Sequence, residues 1–125
     1  MIEVRNLKKS FGANKVLDDV NFQIEKGESV VIIGRSGGGK SVLIKHLIGL
    51  LKPDAGKVLI EGEDIVAMGE RELLRIRRKF GMLFQGAALF DSMTVAQNVG
   101  FAFRENKTLG EKEIARRVAE VLDVV

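Results

Sequence analysis

The chain has 125 residues, 46% of them hydrophobic, with a net charge of +3, a pI near 9.3, one histidine and no cysteine. That length fits one small domain with a real apolar core, which excludes intrinsic disorder, and the missing cysteines exclude a disulfide framework and a thiolate metal site. No apolar run approaches the roughly 20 residues needed to span a bilayer, Met1 to Arg5 lacks the apolar core of a signal peptide, and the absence of cysteine suits a reducing cytosol.

Ile2-Glu3-Val4-Arg5 alternates apolar and polar residues, as a half-buried strand does. Leu7 to Asn14 reads as a polar loop with Phe11 its one large apolar residue. Alternation resumes from Val20 to Ile24, a second strand, and Glu25-Lys26-Gly27-Glu28 is a turn. Ser29 to Ile33 is apolar on both faces, which predicts a fully buried strand. A helix is expected from Lys40 to about Leu50, apolar almost all round and so deeply buried. Lys52-Pro53-Asp54-Ala55-Gly56 stops it with turn chemistry.

Val58 to Glu61 reads as a short strand ended by Gly62, and Glu70 to Lys79 as a charged helix carrying Leu73, Leu74 and Ile76. The basic cluster Arg75, Arg77, Arg78 and Lys79 is interleaved with Glu70 and Glu72. It reads as a solvated helix face rather than a nucleic-acid footprint, which would gather charge on one side. Phe80 to Phe84 reads as an apolar strand ending at Gln85, followed by a short helix near Thr94 to Val99. Thr108 and Glu111 have the spacing of a capping box. Beyond them Ile114, Val118, Val121, Leu122 and Val125 line one face of an amphipathic helix. His46, two turns into its helix, reads as a packing residue, and the methionines as gap-fillers.

Between strand and helix lies Gly34-Arg35-Ser36-Gly37-Gly38-Gly39-Lys40-Ser41, the G-x-x-x-x-G-K-S spacing of a phosphate-binding loop. The glycines let backbone N–H groups approach phosphate without a Cβ in the way. The following helix points its positive end and its unpaired amides at the same anion. Lys40 is expected to reach the β- and γ-phosphates and the Ser41 hydroxyl to hold Mg²⁺. The alternative is a plain glycine-rich turn, but strand before and helix after are the context the motif demands.

Nearly the whole chain resembles the first half of the ATPase subunit of an ABC transporter. The resemblance runs through Ser10-Phe11-Gly12, Lys26-Gly27-Glu28, the phosphate loop, Gly49-Leu50-Leu51-Lys52-Pro53-Asp54-Ala55-Gly56, Gly62-Glu63-Asp64-Ile65, Phe84-Gln85 and Thr94-Val95-Ala96-Gln97-Asn98-Val99. Within that family, GRSGGGKS with KHLIGLLKPDAG and GMLFQGAALFDSMTV is most similar to the phospholipid-trafficking branch. The resemblance implies an α/β P-loop NTPase with a RecA-like core and an antiparallel β subdomain. Residues 1–106 would form part of the ATPase core and 107–125 the start of a helical subdomain.

By the same resemblance, residues 34–41 bind ATP, and Phe11 takes the place of an aromatic that stacks on adenine. The residues alone leave Phe11 open between that role and a loop aromatic folded on the core. Gln85 would join Ser41 at Mg²⁺ and orient the attacking water, and with Lys40 would carry catalysis. Gly86 to Phe101 would dock on a membrane-spanning permease, with Leu89, Phe90 and Met93 either facing that partner or packing inside. Gln97 departs from an acidic residue common in the family. A second ATPase subunit would complete a homodimer, and the protein would sit at the cytoplasmic face of the inner membrane through its permease.

Three family elements are not found in the sequence: an LSGGQ-like signature, an apolar strand ending in Asp-Glu, and the later histidine at the γ-phosphate. The expectation is therefore an ATPase parent and a 125-residue chain that by itself binds nucleotide at most. The alternatives are a truncated, non-catalytic nucleotide-binding or assembly module, and a different P-loop enzyme such as a small-molecule kinase. The family's central sheet also places strands from the later half between the Ser29–Ile33 strand and the one ending at Gln85. Bare strand edges pair or aggregate. The chain alone is thus expected to rearrange, to self-associate, or to be part of a longer protein.

Overall fold

The computed structural model describes residues 1–84, 86, 88–107 and 109–125, and the chain divides into two units, Met1–Gly81 and Met82–Val125. The first unit holds strands β1 (Ile2–Phe11), β2 (Asn14–Ile24), β3 (Ala55–Ile60) and β4 (Glu63–Asp64) and helices α1 (Lys40–Leu47) and α2 (Glu70–Arg77). Its four strands form one sheet in the order β2-β1-β3-β4, antiparallel at every pairing. The second unit holds α3 (Val95–Asn106) and α4 (Glu111–Asp123).

The expected loop at Leu7 to Asn14 is instead the second half of β1 and the start of β2, joined by a tight turn at Gly12-Ala13. Simple alternation fails there because the β1–β2 register shifts between Val4 and Leu7 and again after Leu7. Asn6 sits at the bulge with φ 49°, its amide donating to Asn21 Oδ1 at 2.7 Å. Such a left-handed residue costs about 1–2 kcal/mol, less for Asn. The bulge lets Val4 (2% exposed) and Leu7 (0%) enter the same core although they are three residues apart. Burying one such side chain contributes about 1.5–3 kcal/mol, so the strain is offset.

That core joins Val4, Leu7, Leu17, Val58 and Ile60 of the sheet to Leu43 and Leu47 of α1 and Leu73 and Ile76 of α2. Helix α1 is shorter than expected and buried on one face only: Leu43, His46 and Leu47 are inside, while Ile44 is exposed, as is Leu50 beyond its end. Gly49 turns left-handed just past its end, and the Arg77 guanidinium of α2 donates to the Ile48 and Gly49 carbonyls at 3.1 and 2.9 Å. These are carbonyls that a helix end otherwise leaves unpaired. His46 is 1% exposed, as a packing residue should be. Its Nδ1 lies 2.7 Å from the Val42 carbonyl, which can only accept, so Nδ1 carries the proton.

Two expected strands are not strands. Among the described residues nothing pairs with Val30 to Ile33, and Val31 and Ile33 are 82% and 91% exposed. Phe80 to Phe84 is likewise unpaired, with Leu83 exposed. A parallel-type strand is buried only by neighbours on both sides, and no described residue supplies them.

In the second unit α3 is about twice the expected length. Its N-cap is Thr94, whose Oγ1 accepts from the Gln97 amide at 3.2 Å while Gln97 Oε1 accepts from the Thr94 amide at 2.8 Å. Gly100 is buried where α4 approaches: a Cβ there would lie 3.2 Å from Ile114 and 3.3 Å from Val118. Ile114 and Val118 are buried, but Val121, Leu122 and Val125 of the expected apolar face are exposed. Thr108, proposed above as a cap, lies outside the described residues, and the N-cap of α4 is Gly110.

Candidate functional site

The phosphate loop is built from the backbone outward. After the extended segment at Val30 to Ile33 the chain turns at Ser36-Gly37, with the Gly38 amide donating to the Arg35 carbonyl at 3.0 Å. Gly37 and Gly39 take left-handed backbone, with φ of 76° and 85°. Gly39 is required twice over, because a Cβ there would stand 2.9 Å from the Val16 carbonyl of β2. The back wall of the loop is therefore the sheet, and only a residue without a side chain fits against it.

Gly39 is also the N-cap of α1, and the first helical hydrogen bond runs from the Leu43 amide to the Gly39 carbonyl at 2.8 Å. The amides just before Leu43 are those a helix start leaves free, and they line a concavity bounded by Gly37 to Val42. Lys40 folds back over this space, donating to the Gly34 and Arg35 carbonyls at 2.7 Å each. An ammonium has three N–H donors, so one remains for a ligand. Free amides, a helix's positive end and a tethered cation together make a seat for a polyanion.

Ser41, in the first turn of α1, is exposed at the same mouth. Among the described residues no cluster of carboxylates or imidazoles is able to hold a metal alone. A Mg²⁺ ion here would draw its ligands from the Ser41 hydroxyl and from the phosphate oxygens themselves, an all-oxygen set that suits it. Gln85 lies outside the described residues.

Phe11 ends β1 opposite Asn14, two residues before the Val16 that backs Gly39. Its ring is half exposed and belongs neither to the apolar core nor to the residues packed on it. The Lys9 ammonium stands 5.5 Å from the ring centroid. Lys9 in turn donates to Asp54 Oδ1 at 2.9 Å, and Asp54 Oδ2 accepts from the Ser10 amide at 2.7 Å. The Lys9 ammonium first, and the Ser10 amide second, hold the Asp54 carboxyl below its usual range.

In the second unit the segment before α3 is organised by Asn98. Its Oδ1 accepts from the Phe90 amide at 2.8 Å, and its Nδ2 donates to the carbonyls of Phe90 and Met93 at 3.2 Å each. The Phe90 and Phe101 rings lie 4.7 Å apart, centroid to centroid, so Phe90 packs within the unit on one side although it is 45% exposed. Ser92, Met93, Gln97, Phe101 and Arg104 line a concavity of about 430 Å³. The sequence reading missed Gln97 as a capping residue and Asn98 as the organiser of this segment. Thr94-x-x-Gln97 matches the capping-box pattern and was legible as such.

The family profile described as "ABC transporter" matches residues 17–125. A probable ribonucleotide transport ATP-binding protein of Mycobacterium leprae is 48% identical over 124 residues, 99% of this chain and 36% of that protein. The intermembrane phospholipid transport system ATP-binding protein MlaF of Haemophilus influenzae is 40% identical over 125 residues, all of this chain and 47% of that one. A dimeric ATP-binding cassette solved in a post-hydrolysis state with ADP and Pi superposes with a TM-score of 0.85 at 32% identity, covering 98% of this chain and 56% of that one. The chain spans about half the length of these relatives or less. With a family profile matched over most of its length, the chain belongs to the ABC transporter family.

Proposed function

We propose that this chain is the nucleotide-binding portion of an ATPase subunit that couples ATP hydrolysis to transport. The observation that carries the reading is Lys40, drawn over the free amides of the α1 start by two carbonyls of its own loop. In this reading residues 34–41 hold the phosphates, Phe11 stacks on the base, and Ser41 and Gln85 ligate Mg²⁺. Hydrolysis requires a water-orienting acid and a signature segment that residues 1–125 do not contain, so turnover belongs to a longer protein and its dimer. The unpaired backbone of Val30 to Ile33 supports the same view, since it offers a strand to neighbours from elsewhere.

The Gly86 to Phe101 segment, with its concavity beside Met93 and Phe101, is proposed as the permease contact, and α4 as the opening of the helical subdomain. The protein would then be held at the cytoplasmic face of the membrane by that partner; among the described residues no helix is long and apolar enough to cross it. A lipid cargo rests on the resemblance of residues 34–41 and 81–95 to the phospholipid-trafficking branch, and a phospholipid transport protein of Haemophilus influenzae is among the relatives. The relatives named for sulfate/thiosulfate and methionine import are 46% and 42% identical, so the cargo is set by the partners rather than by this chain.

The test is steady-state ATP turnover by the full-length protein and by residues 1–125 alone. Turnover should be present in the first, abolished there by Lys40→Ala, and indistinguishable from buffer in the second. Lys40-dependent turnover by residues 1–125 would overturn the division of labour proposed here.

A further inference from the structure

The Phe11 ring has no apolar seat of its own, yet one side of it is occupied. Lys9 lies two residues earlier on the same face of β1, and its ammonium stands 5.5 Å from the ring centroid. A lysine over a half-exposed ring would ordinarily be a loose contact, because its four-carbon stem has many rotamers. Here the ammonium is pinned at 2.9 Å by Asp54, a residue far away in sequence, in the turn between α1 and β3. Asp54 is itself fixed by backbone on two sides: its Oδ2 accepts from the Ser10 amide at 2.7 Å, and its own amide donates to the Lys8 carbonyl at 2.9 Å. The carboxylate cannot swing away without breaking contacts to the strand that carries both Lys9 and Phe11. The order is thus fixed backbone, fixed carboxylate, fixed ammonium, ring.

We propose that Lys9, anchored by Asp54, is a positioning residue that holds the Phe11 ring as a preformed platform for the nucleotide base. The proposal rests on the reading of Phe11 as the base-stacking residue. A cation on one face leaves the opposite face for the base, and it draws ring density toward itself, which favours an electron-rich purine on the other side. It also limits the two side-chain torsions of an aromatic that has no core to restrain it. The ordering is done before the ligand arrives, which removes part of the entropy loss on binding. Because Asp54 belongs to the turn that follows the phosphate-loop helix, the base platform and the phosphate seat are tied to one another through the sheet. Sequence reading treats Lys9 as a loop lysine and Asp54 as a turn residue, since the two meet only through β1–β3 pairing at Lys8 and Ala55.

The test is equilibrium binding of Mg·ATP and of Mg·tripolyphosphate, which has no base, to the full-length protein and four variants. Phe11→Ala should weaken ATP and leave tripolyphosphate unchanged. Lys9→Met and Asp54→Asn should each weaken ATP roughly two- to fivefold, the range of an exposed cation–π contact, again with tripolyphosphate unchanged. Lys9→Arg should bind ATP as the unaltered protein does, because a guanidinium both stacks on the ring and pairs with the carboxylate. Unchanged ATP binding in Phe11→Ala overturns the stacking reading and the proposal with it. Loss in Phe11→Ala but none in Lys9→Met overturns the proposal alone. Equal loss of ATP and tripolyphosphate in Lys9→Met also overturns it, since the lysine would then act on phosphate or on the fold.

Discussion

Lys40 has two of its three donors committed to carbonyls of residues 34 and 35, so its position is set by the loop and its charge is still available. Lys40→Ala should weaken nucleotide binding by about 1.5–3 kcal/mol, the worth of a charge-assisted contact, measured by calorimetric titration of Mg·ATP. Unchanged affinity would mean that the loop does not seat phosphate. Asp54 gives a prediction in pH. Its carboxyl is held low by Lys9 first and by the Ser10 amide second, so it favours the folded state when charged. That contribution is complete above the unfolded carboxylate value of roughly 3.9 and is lost as pH falls through the lower folded value. The stability difference between the natural protein and Asp54→Asn should therefore be flat from neutral pH to about pH 5 and vanish in stronger acid, followed by thermal melts across that range. A difference that grows on acidification would contradict the assignment.

At the scale of elements, what was legible was whatever has a fixed local chemistry. The phosphate loop could be read because its glycines, lysine and serine stand at a spacing that a single local structure requires. The long hairpin of β1 and β2 could not, since its alternation is broken at Asn6, where the backbone turns left-handed and Val4 and Leu7 share one face. Helix α1 was overextended because Ile48, Leu50 and Leu51 continue its apolar run past Leu47, whereas the backbone stops at Gly49 (φ 66°). The start of α3 was legible in Thr94 and Gln97 and went unread. Thr94→Ala should remove that cap and destabilise the second unit by about 1 kcal/mol, seen as faster amide exchange in the first turn of α3. Exchange unchanged from the natural protein would show that the cap contributes nothing.

For the molecule as a whole, the controlling fact is an apolar segment without strand partners among the described residues. Val31 and Ile33 are 82% and 91% exposed although their residue types belong in a sheet interior. An unpaired extended run of this kind is a template for association. Residues 1–125 made alone should therefore self-associate, and Val31→Asp with Ile33→Asp should lower the scattering mass toward that of a monomer. In the longer protein proposed above, where a sheet is expected to bury this segment, the same pair should instead be destabilising. A monodisperse monomer without the substitutions would refute the first expectation. Spatial partners are the one thing that periodicity along a chain does not record, which is why this segment read as a buried strand. The hairpin turn at Gly12-Ala13 offers a practical use of the same architecture. Ala13 is exposed, lies two residues from the Phe11 ring and has no part in the phosphate seat. A solvent-sensitive dye attached through cysteine at that position, in a chain that has no other thiol, would make the protein a fluorescent gauge of nucleotide arrival.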